Sequence, residues 1–447
     1  KPIVVPTDFC DRAAKPWPMR ALHVLLVGIV VVSLVATTGG ASSADTAVPD
    51  ADGPPVGSTA AVTAPSSVDG ATTRQVSEDN ASRKVSVNVL SLPPGTSNRS
   101  SVETQYVDLG PALSFASNAS TYRIETLTAV ENVRSAETTE ERQQRILGEL
   151  NRIEQRAISL RSTQSRTASA FVDGDIEQRE ALVRLARIDI EARALETRRE
   201  RLATLAEETP EFSVDAGRMD SLSRELDSIT GPVRAHAAAV LQGQSNPTRF
   251  YVATSADSVV LSTIVGDAYV REAYRGDVRN RTTDRMSPEE AFDIANRSYS
   301  TIWDLRTDTE ILGSGDSYLV RVSYPGGDLS AFVDSGSRNV FKEFQRRPLA
   351  DVDRGALVSD TRDGLRLQVN RTYPGGPLRV RLIEASTGDP VDANVTVGRD
   401  GGESRLVGAT GDDGELWTVS PGSRFTVTAI RGNSVVLVTT SPVPSPR

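Results

Sequence analysis

At 447 residues and 47.9 kDa the chain has room for two to four domains, each with a core of its own. A formal net charge of −9, with no clustered run of cations, excludes nucleic acid as a partner, because phosphate binding needs a concentrated positive surface. One cysteine, Cys10, and two histidines, His23 and His236, leave the chain beyond its N-terminal region without a disulfide, a thiol nucleophile or a two-histidine metal site, so no cofactor or metal is expected.

Residues 1–18 precede Met19 and read as an upstream extension of the translation frame. From Met19 a basic head, MRALH, leads into an apolar run from Val24 to Ala36 and then into small residues, TTGGASSA. That order is a secretory signal spanning 19–44, with cleavage after Ala44 or Ala41. Paired arginines are absent, which favours Sec-type export of an unfolded chain. A lipid anchor would need cysteine where Ser42 stands. The apolar run falls short of the roughly 20 residues that span a bilayer, so membrane attachment would be only through an uncleaved signal segment. The expected location is therefore extracellular or at the cell surface.

Seven of the 13 asparagines stand in N-x-[ST] sequons: Asn80, Asn98, Asn118, Asn280, Asn296, Asn370 and Asn394. The excess fits N-glycosylation on an outer surface, and a chance run in a chain rich in serine and threonine gives the same pattern. Without residues 1–44 the chain holds 46 cations and 57 anions, and only four of its 50 basic residues are lysine. This acidic, arginine-rich balance resembles the proteins of halophilic archaea, whose surfaces stay hydrated in concentrated salt. A GC-rich genome that favours arginine codons explains the bias equally well.

Residues 45–80 are dominated by Pro, Gly, Ser, Thr and Asp and read as a disordered linker. The span 81–245 opens with KVSVNVLSL as a strand and PPGTSNRSS as a loop, then turns helical. Ile146, Leu150, Ile153, Ala157 and Leu160 recur at spacings of three and four. So do Ala181, Leu185, Ile188, Ala192, Leu195 and Leu202, and after them Met219, Leu222, Leu226, Ile229, Val233, His236 or Ala237, and Val240. Short breaks at Asp173–Asp175 and Glu207–Pro210 predict an antiparallel three-helix coiled coil or bundle, with a kink at Gly231-Pro232. His236 lies on or beside the last seam as an interior histidine.

From Arg249 the period shortens to two. FYVATS and SVVLSTIVGDAYVREAY read as strands, SPEEA carries the cap, first-turn proline and capping-box glutamate of a helix, and TEILG, SYLVRVSY, LSAFVD and NVFKEFQ follow as strands joined by the turns GSGD, PGGD and SGSR. A helix from S-P-E-E-A followed by antiparallel strands ending in VDSGS-x-x-V resembles the PepSY domain over Met286–Gln345, with Gly336 displaced by one position. The resemblance implies a small non-enzymatic α+β module over 246–350 that binds or restrains a peptide or an exported protease.

In the last span, 360–440, Leu378, Val380 and Leu382 alternate with arginines, and Phe425, Val427 and Ala429 with threonines, between turns at STGDP, GDDGE and SPGS. That is the signature of a β-sandwich. TGDPVDANV and TGDDGELW are similar to carboxypeptidase-regulatory-like domains of the transthyretin or Ig-like type, which implies a structural module. Asp412, Asp413 and Glu415 fit no calcium loop.

Only Asp334, in AFVDSGSRNVF, suggests catalysis, because Asp-Ser-Gly is the aspartic-protease loop. That chemistry needs two carboxylates sharing a proton; a single Asp-Ser-Gly would require a homodimer, and TVGRDG at Thr396–Gly401 only faintly resembles such an enzyme's second segment. A tight turn explains Asp334 without a second site. Motifs of the G-x-S-x-G, phosphate-loop and C-x-x-C kinds are missing. The expectation is an α+β multidomain protein made of an antiparallel helical coiled coil, a small PepSY-like α+β domain and a C-terminal β-sandwich. It would be non-enzymatic, with protein or envelope partners and self-association through the coiled coil.

Overall fold

The computed structural model describes residues 87–280 and 285–446, all within one compact unit, 73–447. Asn80, the signal, the linker and the start of KVSVNVLSL lie outside the described residues. Eight strands form an antiparallel sheet: β1 Arg99–Gln105, β2 Thr248–Ser255, β3 Ser258–Val265, β4 Ala268–Arg275, β5 Asp308–Ser314, β6 Ser317–Tyr324, β7 Gly327–Asp334 and β8 Asn339–Pro348. Their order, β1-β2-β3-β4-β8-β7-β6-β5, places two meanders edge to edge with β4 against β8 at the centre.

Between β1 and β2 the chain inserts five helices: α1 Leu109–Arg134, α2 Thr139–Asp173, α3 Gln178–Glu207, α4 Ala216–Ile229 and α5 Pro232–Leu241. Thr138 caps α2 by accepting from the Glu141 N–H (3.1 Å), and Gly174 ends it at φ 85°, a conformation that favours glycine. The three apolar seams are buried where the spacing put them, except Met219, which is half-buried. They close against one another and against Phe250, Val252, Val259, Leu261 and Val270 of the sheet. The helical region is therefore a layer sharing its core with the sheet and not a separate coiled-coil domain; residues 81–245 also supply β1, so no division of the core falls at 245/246. Helix α1 escaped the periodicity because its apolar residues divide between two sides. Phe115, Ala129, Val130 and Val133 are buried, and Leu109, Leu113, Ile124 and Leu127 are exposed. Residues 87–92 run irregularly beneath the sheet and do not form a strand.

On the opposite face α6 Pro288–Ser298 and α7 Ser300–Leu305 cover β6–β8 through Ala291, Ile294, Ile302 and Trp303. Ser287 and Glu290 complete the expected capping box (3.2 and 2.9 Å). Two four-stranded sheets make the C-terminal sandwich. Strands β9 Ala356–Arg362, β10 Leu365–Arg371, β11 Pro377–Glu384 and β14 Glu415–Val419 form one, ordered β14-β11-β10-β9. Strands β12 Asn394–Arg399, β13 Ser404–Ala409, β15 Phe425–Arg431 and β16 Ser434–Thr440 form the other, ordered β13-β12-β15-β16. The expected inward residues of β11 and β15 fill its core.

The sandwich docks on the large sheet beside α6. The Gly375 carbonyl accepts from Ser262 Oγ and from Tyr269 Oη (2.8 Å), and a Cβ on Gly375, at φ 73°, would stand 2.4 Å from the Tyr251 ring. The C-terminal tail returns to the sheet domain, where the Val89 N–H donates to the Pro446 carbonyl (3.1 Å).

The sheet centre is charged. On β4, Arg271 and Glu272 are each 2% exposed; on β8, Lys342 is 1% and Glu343 0% exposed. Successive side chains point to opposite faces, so each strand sends one charge each way. Toward the helices, Glu272 accepts from Arg234 Nε (2.6 Å) and from the Val233 N–H at the start of α5 (3.0 Å). Lys342 Nζ donates to the carbonyls of Ser228 (2.7 Å), Asp227 (3.2 Å) and Thr230 at the end of α4. Carboxylate at a helix N-terminus and ammonium at a C-terminus both suit the helix dipole. The expected kink is thus a joint between two helices, and Gly231 is required there because a Cβ would stand 1.9 Å from the Glu272 carboxylate. Toward the other face, Glu343 pairs with Arg271 and accepts from Tyr299 Oη (2.8 Å) and the Leu90 N–H (2.6 Å).

Replacing Lys342 by Met leaves three carbonyls without their donor and should cost about 3 kcal/mol in denaturant unfolding. Lys342→Arg should also destabilise, since a planar fork cannot reach three carbonyls grouped around a point charge. Burial lowers the pKa of His236, whose Nε2 lies 3.3 Å from Thr248 Oγ1. The unfolded chain then binds the extra proton first, so stability is lost as pH falls below about 6.5. Unfolding free energies at pH 7.5 and 5.5 should fall less in His236→Gln than in the parent.

Candidate functional site

Asp334 sits at the end of β7, where a register shift between Phe332 and Val333 tightens the turn into β8. Its side chain is buried. Oδ2 accepts from the N–H groups of Ser337 and Asn280, both at 2.9 Å, and Oδ1 stands 3.5 Å from Arg279 Nε. The Ser337 bond closes the turn from three residues on, and the Arg279 guanidinium lies over the Phe341 ring at 4.0 Å. The partners of Asp334 within the chain are thus two amides and a guanidinium. Asp334 orders a hairpin and the segment that follows β4.

Beside it lies a cleft of about 610 Å³ between α2, the start of α4, the β5–β6 turn and the segment after β4. Its acids are paired, capping or hydrogen-bonded. Glu154 meets Arg218 (2.7 Å), Asp215 caps α4 through the Arg218 N–H (2.8 Å), and Asp316 accepts from Ser221 Oγ (2.8 Å). Glu225 pairs with Arg161 and stands 3.5 Å from Arg279. Burial pushes the Glu225 carboxyl above the usual carboxylate range, against the pull of both arginines. The cleft is lined by both signs of charge, with acids in the majority, and suits polar recognition. Sequence reasoning missed it because Arg279, Glu225, Asp316 and Asp334 are separated by long intervals of chain and meet only through the β5–β8 meander packing under α4.

Three sequon asparagines, Asn98, Asn280 and Asn394, are exposed, and Asn118 and Asn296 are half-buried on helices. Asn370 is 8% exposed inside β10, paired with both β9 and β11, so a glycan there would have to displace strand packing. The acidic turn of the sandwich is structural: Glu415 pairs with Arg379 (2.8 Å), and Asp413 Oδ1 accepts from the Glu415 N–H (3.0 Å). Among the described residues no group of His, Cys, Asp and Glu is placed to hold a metal ion, and no helix is long and apolar enough to cross a membrane.

Comparison with known families matches three spans. A model described as Domain of unknown function (DUF7096) covers residues 19–246, more than half of the chain. The chain belongs to that family. A second model, Family of unknown function (DUF7094), covers 250–353, and an archaeal fibronectin-III type-like domain covers 357–438. No curated protein and no solved structure matches. This DUF7096 chain is thus an archaeal-type protein with a C-terminal Fn3-like sandwich, and the DUF7096 and DUF7094 spans fold around one sheet.

Asp334→Asn keeps an acceptor for the two amides and loses the pairing with Arg279; it should cost about 1 kcal/mol. Asp334→Ala, which strands both amides, should cost about 2–3 kcal/mol in the same denaturant titration.

Proposed function

We propose that the protein is exported and works at the cell surface by binding, as an adhesive or structural component of the envelope, without catalysing a reaction. The observation that carries this reading is the Fn3-type sandwich, fixed along one side to the large sheet through Gly375 and the C-terminal tail, with its loops and outer strands presented outward. A rigid mount of this kind suits a surface that meets partners. The signal pattern at 19–44, the sequons and the acidic, arginine-rich composition support an exported haloarchaeal protein. Because the helical seams are used up inside the core, self-association through the helices falls to the outer face of α1, where Leu109, Leu113, Ile124 and Leu127 are exposed.

A second reading rests on α6 lying across β6–β8. That helix-on-meander arrangement supports the PepSY-like resemblance over 286–345, and with it a module that restrains a peptide or an exported protease.

Crosslinking of native envelopes at high salt, followed by mass spectrometry of the captured complexes, tests both. Envelope proteins or further copies of the chain are expected; recovery of the unprocessed chain from the cytosol would end the first reading, and a captured protease would favour the second. In the same digests Asn98, Asn280 and Asn394 should carry glycans and Asn370 should not.

A further inference from the structure

Where β1 passes under the β12–β13 hairpin, the cationic side chains outnumber their partners. Arg249 of β2, Arg399 of β12 and Arg405 of β13 line a cleft of about 350 Å³ together with Ser101, Glu103 and Glu403. Glu103 is the carboxylate in contact, and its Oε1 is shared between Ser101 Oγ (3.1 Å) and Arg405 Nη1, at 4.0 Å. Arg249 Nε and Arg399 Nη2 are buried and have no hydrogen-bond partner. Arg234 and Arg271, by contrast, each meet a carboxylate, Glu272 and Glu343, although single nitrogens of Arg271, Arg347, Arg371 and Arg381 also lack a partner.

Gathering three guanidinium groups around one contacting carboxylate is unfavourable, and leaving buried N–H donors unused adds to the cost. Burial, together with repulsion from Arg405 and Arg399, lowers the pKa of Arg249 to about 10. A planar guanidinium presents paired donors that fit an oxyanion. We propose that this cleft binds an oxyanionic group, sulfate, phosphate or carboxylate, between the sheet domain and the sandwich. The bound group answers the free donors of Arg249 and Arg399 and ties the two parts of the molecule together. The cleft exceeds a bare tetrahedral anion in size, so the group is either a free ion accompanied by water or the acidic end of a sugar.

Isothermal titration of the full chain at fixed ionic strength in chloride, with inorganic sulfate, inorganic phosphate and glucuronate as separate probes, tests this. Saturable one-to-one binding of at least one probe is expected, weakened roughly tenfold or more in Arg399→Gln and in Arg405→Gln. Tighter glucuronate than sulfate assigns the group to a sugar acid, and the reverse assigns it to a free ion. Arg405 is exposed, so Arg405→Gln should keep the parent's unfolding midpoint in chloride and report on the site alone. Heats no larger than those of added chloride, or binding unchanged in both variants, would overturn the assignment.

Discussion

The fold depends on four ionisable residues buried at the centre of an eight-stranded sheet. Isolated charges in such a place would cost several kcal/mol each. Here strand alternation sends Glu272 and Lys342 to one face and Arg271 and Glu343 to the other, and each finds charged or polar partners there. Both faces of the sheet are therefore committed to specific neighbours, since any shift of one residue in β4 or β8 would exchange every partner across the sheet.

On the helical side this fixes the joint between α4 and α5. Lys342 holds the carbonyl end of one helix, Glu272 the amide end of the next, and Asp189 of α3 accepts from the Gly231 N–H between them (2.7 Å). Helix α3 is thus tied to the same point as the sheet, and the seams of α2 and α3 close around it. On the other side Glu343 gathers Tyr299 at the end of α6 and Leu90 of the N-terminal segment, so the entry of the chain and the helix of the second meander share one anchor. The polar contacts specify which surfaces meet, and the apolar seams supply most of the burial.

The sandwich is attached by different means. Its contact is a close approach of backbone at Gly375 to Tyr251, an apolar patch through Val352, Trp417 and Val419, and the returning tail. Arginines outnumber acids at this border around Arg249, Arg399 and Arg405, whereas acids outnumber arginines in the cleft beside Asp334. One chain thus keeps two clefts of opposite electrostatic character, both where separate segments meet.

Local pattern alone determined the helical seams, the capping box at Ser287, the hairpins of the β5–β8 meander and the inward residues of the sandwich, because each depends on residues within one or two turns or strands of one another. It could not show α1, whose apolar residues face two ways, or that Arg99–Gln105, read in part as loop, would form a strand against Thr248–Ser255. It also read NVFKEFQ and AYVREAY as ordinary strands. Whether a charge on a strand is solvated or buried depends on what covers each face, and only the packing of helices, tail and sandwich decided that. The same holds for Asp334: its neighbours in sequence show the turn that Ser337 closes on it, and only the packing brings Arg279 and Asn280 to it from a distant segment.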